Sequence, residues 1–185
     1  MPENPARLEF LEYGALMALA ASCRSTCSRR LVGCALFNSH KVVVATGYNG
    51  APAGAPQCDE IGCLIVDDHC KRITHAERNA AIFSGSSDLR GGYSFTTIMP
   101  CRDCFDLLVA KEIKHLYYLE DYRNEDHQDY VKKVCRKKGM VLQKVNSCIV
   151  ALMQKAIDFH QGPGGLLVAR NRLTIEEHIP EMMDH

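Results

Sequence analysis

Tryptophan is absent from this 185-residue chain, and aromatic residues make up only 7% of it. Net charge is absent too, with 22 lysines and arginines against 22 aspartates and glutamates. A surface built for polynucleotides draws on basic charge and stacking rings, so both shortages count against a nucleic-acid partner. A small anionic ligand needs only a local basic patch. No apolar run approaches the roughly 20 residues that a membrane span requires. The segment Met1 to Phe10 holds Pro, Glu and Asn and lacks an apolar signal core, so no secretory leader is expected. Cysteine, by contrast, is plentiful, at ten residues. With no leader, these thiols read as metal ligands or buried groups in a reducing cytoplasm, not as a disulfide framework. Length and an ordinary 46% hydrophobic content suit one domain with a substantial core.

Two short stretches concentrate the chemistry. They are Thr74-His75-Ala76-Glu77 and Pro100-Cys101-Arg102-Asp103-Cys104. If a helix starts at the second, its first turn puts both sulfurs on one face, and the unpaired N–H groups there favour thiolate. His75, Cys101 and Cys104 then make three ligands, one short of a closed structural zinc site. Zinc with such an opening lowers the pKa of its water toward about 7. Glu77 is placed to move that water's proton without ligating the metal. A structural zinc knuckle or a redox pair is the plainer alternative. It leaves Glu77 unexplained and needs a fourth ligand.

Along the chain, Asn4-Pro5 reads as a helix start, followed by Leu8, Leu11, Ala15, Ala18 and Leu19 at helical spacing. Ser22 to Arg30 is a polar, basic loop. It is either a phosphate cradle or a solvated surface. Leu31 to Phe37 and Lys41 to Thr46 form a hairpin through Asn38-Ser39-His40. Gly47-Tyr48-Asn49-Gly50 lies at the strand's end, where site residues and simple turns both occur. His75 to Ser84 and Cys101 to Lys111 are helices around a strand at Tyr93 to Met99. Lys114 to Leu119 is the fourth strand and ends in Glu120-Asp121-Tyr122. A helix at Glu125 to Lys138 stops at Gly139, and Met140 to Val145 is the fifth strand. The order β-β-α-β-α-β-α-β predicts one mixed sheet covered by helices on both faces. Residues 1–145 form this domain. The remainder, 146–185, is an extension with a helix at Ser147 to His160, a joint at Gly162 to Gly165 and a capping box at Thr174 to Glu177. It is expected to pack on the same domain or on a neighbouring subunit.

A second ligand-rich block runs from Cys58 to Cys70. Cys27, Cys58, Cys63 and either His69 or Cys70 could close a tetrahedral structural zinc site and pin a loop poor in apolar residues. Buried or free thiols are the alternative. His40, His115, His127, His160, His178 and His185 have no partners at ligand spacing and read as surface or satisfied histidines.

With these residues in view, the chain resembles the deoxycytidylate (dCMP) deaminases of bacterial and phage type. His-x-Glu followed by Pro-Cys-x-x-Cys is the known signature of the zinc-dependent nucleobase deaminases. The narrower likeness lies in Arg24-Ser25-Thr26-Cys27-x-Arg29, Val32-Gly33, Gly47-Tyr48-Asn49-Gly50-x-Pro52-x-Gly54, Cys58-Asp59-Glu60-x-Gly62-Cys63-Leu64, Asp68-His69-Cys70-x-Arg72 and Tyr117-Tyr118-x-Glu120-Asp121-Tyr122.

The resemblance implies a three-layer α/β/α sandwich with a five-stranded mixed sheet, like that of cytidine deaminase. It implies conversion of dCMP to dUMP and ammonia, with His75, Cys101 and Cys104 on catalytic zinc and Glu77 shuttling protons. It places the Ala76 N–H on the pyrimidine, Asn49 on the deoxyribose 3′-oxygen, and Arg24, Ser25, Thr26 and Arg29 on the phosphate. It further implies a homohexamer, activation by dCTP with Mg2+ and inhibition by dTTP. Another cytosine nucleotide, dCTP or a 5-modified dCMP, is the alternative substrate. A polynucleotide deaminase fits less well, because charge and aromatics are short, and so does a non-catalytic nucleotide sensor, because Glu77 is intact.

Overall fold

The computed structural model describes residues 7–85, 88–146 and 149–161. Residues 10–146 belong to one compact unit, and the helix at Ile149–Gln161 belongs to a second. The Asn4-Pro5 helix start, the Gly162 joint and the Thr174 capping box lie outside the described residues.

The first unit begins with α1 (Phe10–Ser22), followed by the hairpin β1 (Gly33–Phe37) and β2 (Val43–Tyr48). A short α2 (Cys58–Ile61) and a ribbon of β3 (Ile65–Val66) and β4 (His69–Cys70) come next. Then follow α3 (Ala76–Phe83), β5 (Tyr93–Ile98), α4 (Arg102–Ala110), β6 (His115–Glu120), α5 (Glu125–Lys138) and β7 (Val141–Lys144). The main sheet has the order β2-β1-β5-β6-β7. β1 is antiparallel to β2 and β5, while β5, β6 and β7 are mutually parallel. This is the expected mixed five-stranded sheet.

Strand alternation explains the three layers. Successive side chains of β1 point to opposite faces. Cys34 and Leu36 join Ala76, Ala80, Phe105, Leu108 and Val131, so α3, α4 and α5 cover that face. Phe37 instead meets Phe10 and Phe95 edge-on, at ring-centroid distances of 5.4 Å each, so α1 covers the other face. Every residue of β1 is therefore buried, as a strand covered on both sides must be. Gly14 lets α1 settle on the ring of Phe95, since a Cβ there would strike that ring.

Two differences from the sequence expectation matter for the site. The block from Cys58 to Cys70 is not an unstructured loop. It contains a four-residue helix, whose entry is fixed by the Gln57 N–H donating to Glu60 Oε2 at 3.0 Å, and a two-stranded ribbon. The second hairpin strand is also shifted toward the C-terminus, ending at Tyr48, after a register irregularity between Leu36 and Phe37. The first was hidden because four-residue helices and two-residue strands are too short to display a hydrophobic period.

Candidate active site

The two metal-type motifs each begin a helix. His75 is the N-cap of α3 and Cys101 the N-cap of α4, both with extended backbone. Each thus projects its side chain at the end of the sheet where the helices start. Cys104 sits one turn into α4 and is buried. Cys101 Sγ lies 3.3 Å from His75 Nδ1, and Cys104 Sγ lies 3.5 Å from the same nitrogen. Tetrahedral zinc, with bonds of about 2.0 Å to nitrogen and 2.3 Å to sulfur, would separate such atoms by about 3.5 Å. The donor set fits zinc with only three protein ligands. Of the two thiols, Cys101 ionises first. The Cys104 S–H beside it and the His75 ring hold it down to about 3. The same pairing, with burial, pushes Cys104 up.

Glu77 stands in the first turn of α3 and is only 3% exposed. Burial raises its pKa, and the nearby Cys101 thiolate adds to that. Ala76, fully buried, is the first residue of α3, where the helix leaves the N–H without an internal partner. This helix reaches its place because β2 has a glycine opposite it. A Cβ on Gly47 would collide with the backbone of Ala76 and Ala80. The Asn79 side chain then donates to the Tyr48 carbonyl at 2.8 Å and fixes α3 against the strand end.

The second cluster also assembles. Cys27, Cys58, Cys63 and Cys70 bring their sulfurs within 4.8 Å of one another. Cys27 and Cys63 are 3.7 Å apart, and Cys58 and Cys70 are 3.6 Å apart. The edge of a tetrahedral zinc tetrathiolate is about 3.8 Å, whereas a disulfide would need about 2.05 Å. His69 is not part of this set: neighbouring residues of a ribbon point to opposite sides, and it is Cys70 whose sulfur joins the cluster. Cys63 is poised to ionise at about 7, first because Ser28 hydrogen-bonds its sulfur, while burial lifts Cys58 to about 12.

A cleft of about 320 Å³ opens over His75, Ala76, Glu77 and Cys101, and Asn49 lies on its wall. Asn49 is 3% exposed and already well engaged. Its Oδ1 accepts from the Val32 N–H at 2.8 Å and from the Ser25 hydroxyl at 2.5 Å, and its Nδ2 donates to the Arg30 carbonyl at 2.7 Å. The second amide hydrogen remains for another acceptor.

The four residues expected at the phosphate are not equivalent. Arg29 lines the cleft, but Arg24 does not. Ser25 is turned to Asn49, and Thr26 donates to Gln57 Oε1 at 2.9 Å. Arg30, Tyr122 and Arg123 also line the cleft; of these, sequence motifs single out Tyr122 at a strand end and assign a role to none. Their signal was positional. Arg30 follows Arg29, and Tyr122 and Arg123 follow the end of β6, where site residues tend to collect.

An α/β/α sandwich that gathers two metal-capable ligand sets beside one cleft defines a metal-binding protein of the deaminase class. The chain belongs to the cytidine and deoxycytidylate deaminase zinc-binding family, whose model matches residues 8–120, more than half of its length. It is 34% identical over 143 residues to ComE operon protein 2 of Bacillus subtilis (strain 168), covering 75% of this chain and 72% of that protein. It is 35% identical over 124 residues to the deoxycytidylate deaminase of Mycobacterium phage D29, covering 61% of this chain and 96% of the phage protein. Among solved structures, the dCMP deaminase of cyanophage S-TIM5 in complex with dCMP and dUMP is similar, with a TM-score of 0.63 and 27% identity over 76% of this chain and 99% of that one. No helix among the described residues is long and apolar enough to cross a membrane.

Proposed function

We propose that this protein deaminates dCMP hydrolytically to dUMP and ammonia. The observation that carries this is the meeting of His75, Cys101 and Cys104 around one point beside buried Glu77, in a chain of this family. Similarity to two phage dCMP deaminases, one solved with dCMP and dUMP, supports the choice of substrate.

His75, Cys101 and Cys104 would hold catalytic zinc, which when bound acts as a Lewis acid and makes water a nucleophile at neutral pH. The chain's own residues do the rest. Ala76 presents its N–H to the pyrimidine, and Asn49 offers its remaining amide hydrogen to the deoxyribose 3′-oxygen. Arg29, Arg30 and Arg123 supply the positive mouth of the cleft for the phosphate. Glu77 accepts a proton from the attacking water and delivers it to N3. It then carries the second proton to the departing amino group. One C–O bond forms at C4 and one C–N bond breaks, leaving dUMP and ammonia.

Cys27, Cys58, Cys63 and Cys70 would hold a second, structural zinc. The wider proposal keeps a deaminase domain at 1–145 with an extension at 146–185, a homohexamer, and regulation by dCTP with Mg2+ and by dTTP. The proposal also includes a reducing cytoplasmic setting, where the clustered thiols would serve as metal ligands.

The test is ammonia release from dCMP by the zinc-loaded protein. Glu77→Ala should lower kcat by roughly 10²–10⁴-fold while its zinc content stays the same. Full turnover in that variant would remove Glu77 from the mechanism, and a wild-type protein inert toward dCMP would end the proposal. Sedimentation with and without dCTP tests the assembly.

A further inference from the structure

We propose that Asp68 is a positioning residue that sets preference for a phosphorylated substrate, by holding Arg29 and Arg123 together at the mouth of the cleft. This rests on the dCMP-deaminase reading above.

The two arginines come from distant parts of the chain, Arg29 from the loop after α1 and Arg123 from the segment after β6. Both converge on one residue. Arg29 Nη2 donates to Asp68 Oδ1 at 2.7 Å, and its Nη1 donates to the Asp68 carbonyl at 3.0 Å. Arg123 Nη1 lies 2.5 Å from Asp68 Oδ2, and its Nη2 donates to the same carbonyl at 3.2 Å. Each guanidinium thus forks over one carboxylate oxygen and one backbone oxygen. Without the carboxylate, two like charges would face each other and splay apart. With it, the trio keeps a net positive charge and a fixed geometry. A guanidinium has five N–H donors, so both arginines retain donors for a second anion. All three residues line the cleft that holds His75 and Glu77.

The backbone at Asp68 strengthens the case. Val66 pairs with His69, so Asp67 and Asp68 form a two-residue turn, with φ of 49° and 57°. Both lie in the left-handed region, which aspartate tolerates better than most residues. The turn thus fixes the backbone at 68, and it is the Asp68 carboxylate that meets both arginines. The base of the ribbon is fixed as well. Cys63 and Cys70 flank it within the thiol cluster, the Lys71 N–H donates to the Leu64 carbonyl at 2.7 Å, and Arg72 Nε donates to the Gly62 carbonyl at 3.0 Å. A tip held this firmly can hold arginines in turn. Exposed ion pairs add little to folding stability, so a role in binding is the larger consequence of this one.

The test compares kcat and KM for dCMP and for deoxycytidine, which lacks the phosphate, in full-length zinc-loaded protein. Asp68→Asn keeps the shape and removes the charge, and Asp68→Gly suits the positive φ. The selectivity ratio, kcat/KM for dCMP over kcat/KM for deoxycytidine, should fall about fivefold in Asp68→Asn and further in Asp68→Gly, through a higher KM for dCMP. An unchanged ratio in active variants overturns this inference alone. A higher ratio also overturns it, because Asp68 would then be competing with the phosphate. Absence of dCMP turnover in the wild type removes the deaminase reading itself, and the inference with it.

Discussion

His127 Nε2 lies 2.7 Å from the carbonyl oxygen of Pro100. A carbonyl only accepts, so Nε2 carries the proton and donates. The bond ties the first turn of α5 to the turn that presents Cys101. Tyr122 packs edge-on against the same imidazole at 4.8 Å and lines the cleft. The ligand turn and the cleft wall thus share one support.

His127→Ala should therefore cost about 1 kcal/mol of stability and speed zinc loss to a chelator, while His127→Gln, which can still donate, should recover part of both. Denaturant titration and the rate of chelator-driven metal release measure these effects. Equal release rates in all three proteins would show that the bond does not support the ligand turn.

Removing the proposed second metal should loosen one wall of the cleft, which Cys27 and Cys70 line. Cys58→Ser is expected to lose one of the two metal equivalents that the two ligand sets can hold, with a lower melting temperature. Elemental analysis and calorimetry read the two effects. Thiol ligands must shed protons to bind metal, so metal occupancy should fall as pH is lowered. Acid titration followed by elemental analysis checks the direction.

Gly47→Ala places a methyl group against the backbone of α3 at Ala76 and Ala80. Helix backbone cannot yield as a flexible side chain would. The variant should lose about 1–3 kcal/mol, and kcat should fall because the helix carrying His75 and Glu77 is displaced. A variant as stable and active as wild type would mean that the strand gives way instead.

Asn49→Ala strips the Val32 N–H and the Arg30 carbonyl of a buried partner. An expected loss of about 1–3 kcal/mol should accompany a raised KM for dCMP. Thermal melting and steady-state kinetics separate the two roles. Lost stability with unaltered KM would leave Asn49 as a purely structural residue.

Much of this was legible in the chain itself. His75 with Glu77, and Cys101 with Cys104, stand at local spacings that helix starts convert directly into shared faces, so the four could be named as candidates for the proposed site before any fold was known. The five strands could be read for the same reason, because alternation and turn residues are local signals. Tertiary structure decided what depends on long-range approach. It selected Cys70 over His69, because the side a ribbon residue faces depends on a register that flanking sequence does not disclose. It drew Ser25 and Thr26 into support of the loop and brought Arg30 and Arg123 to the cleft. Ionic and hydrogen-bonding partners separated by dozens of residues leave no periodic trace, and only the folded chain shows which of them meet.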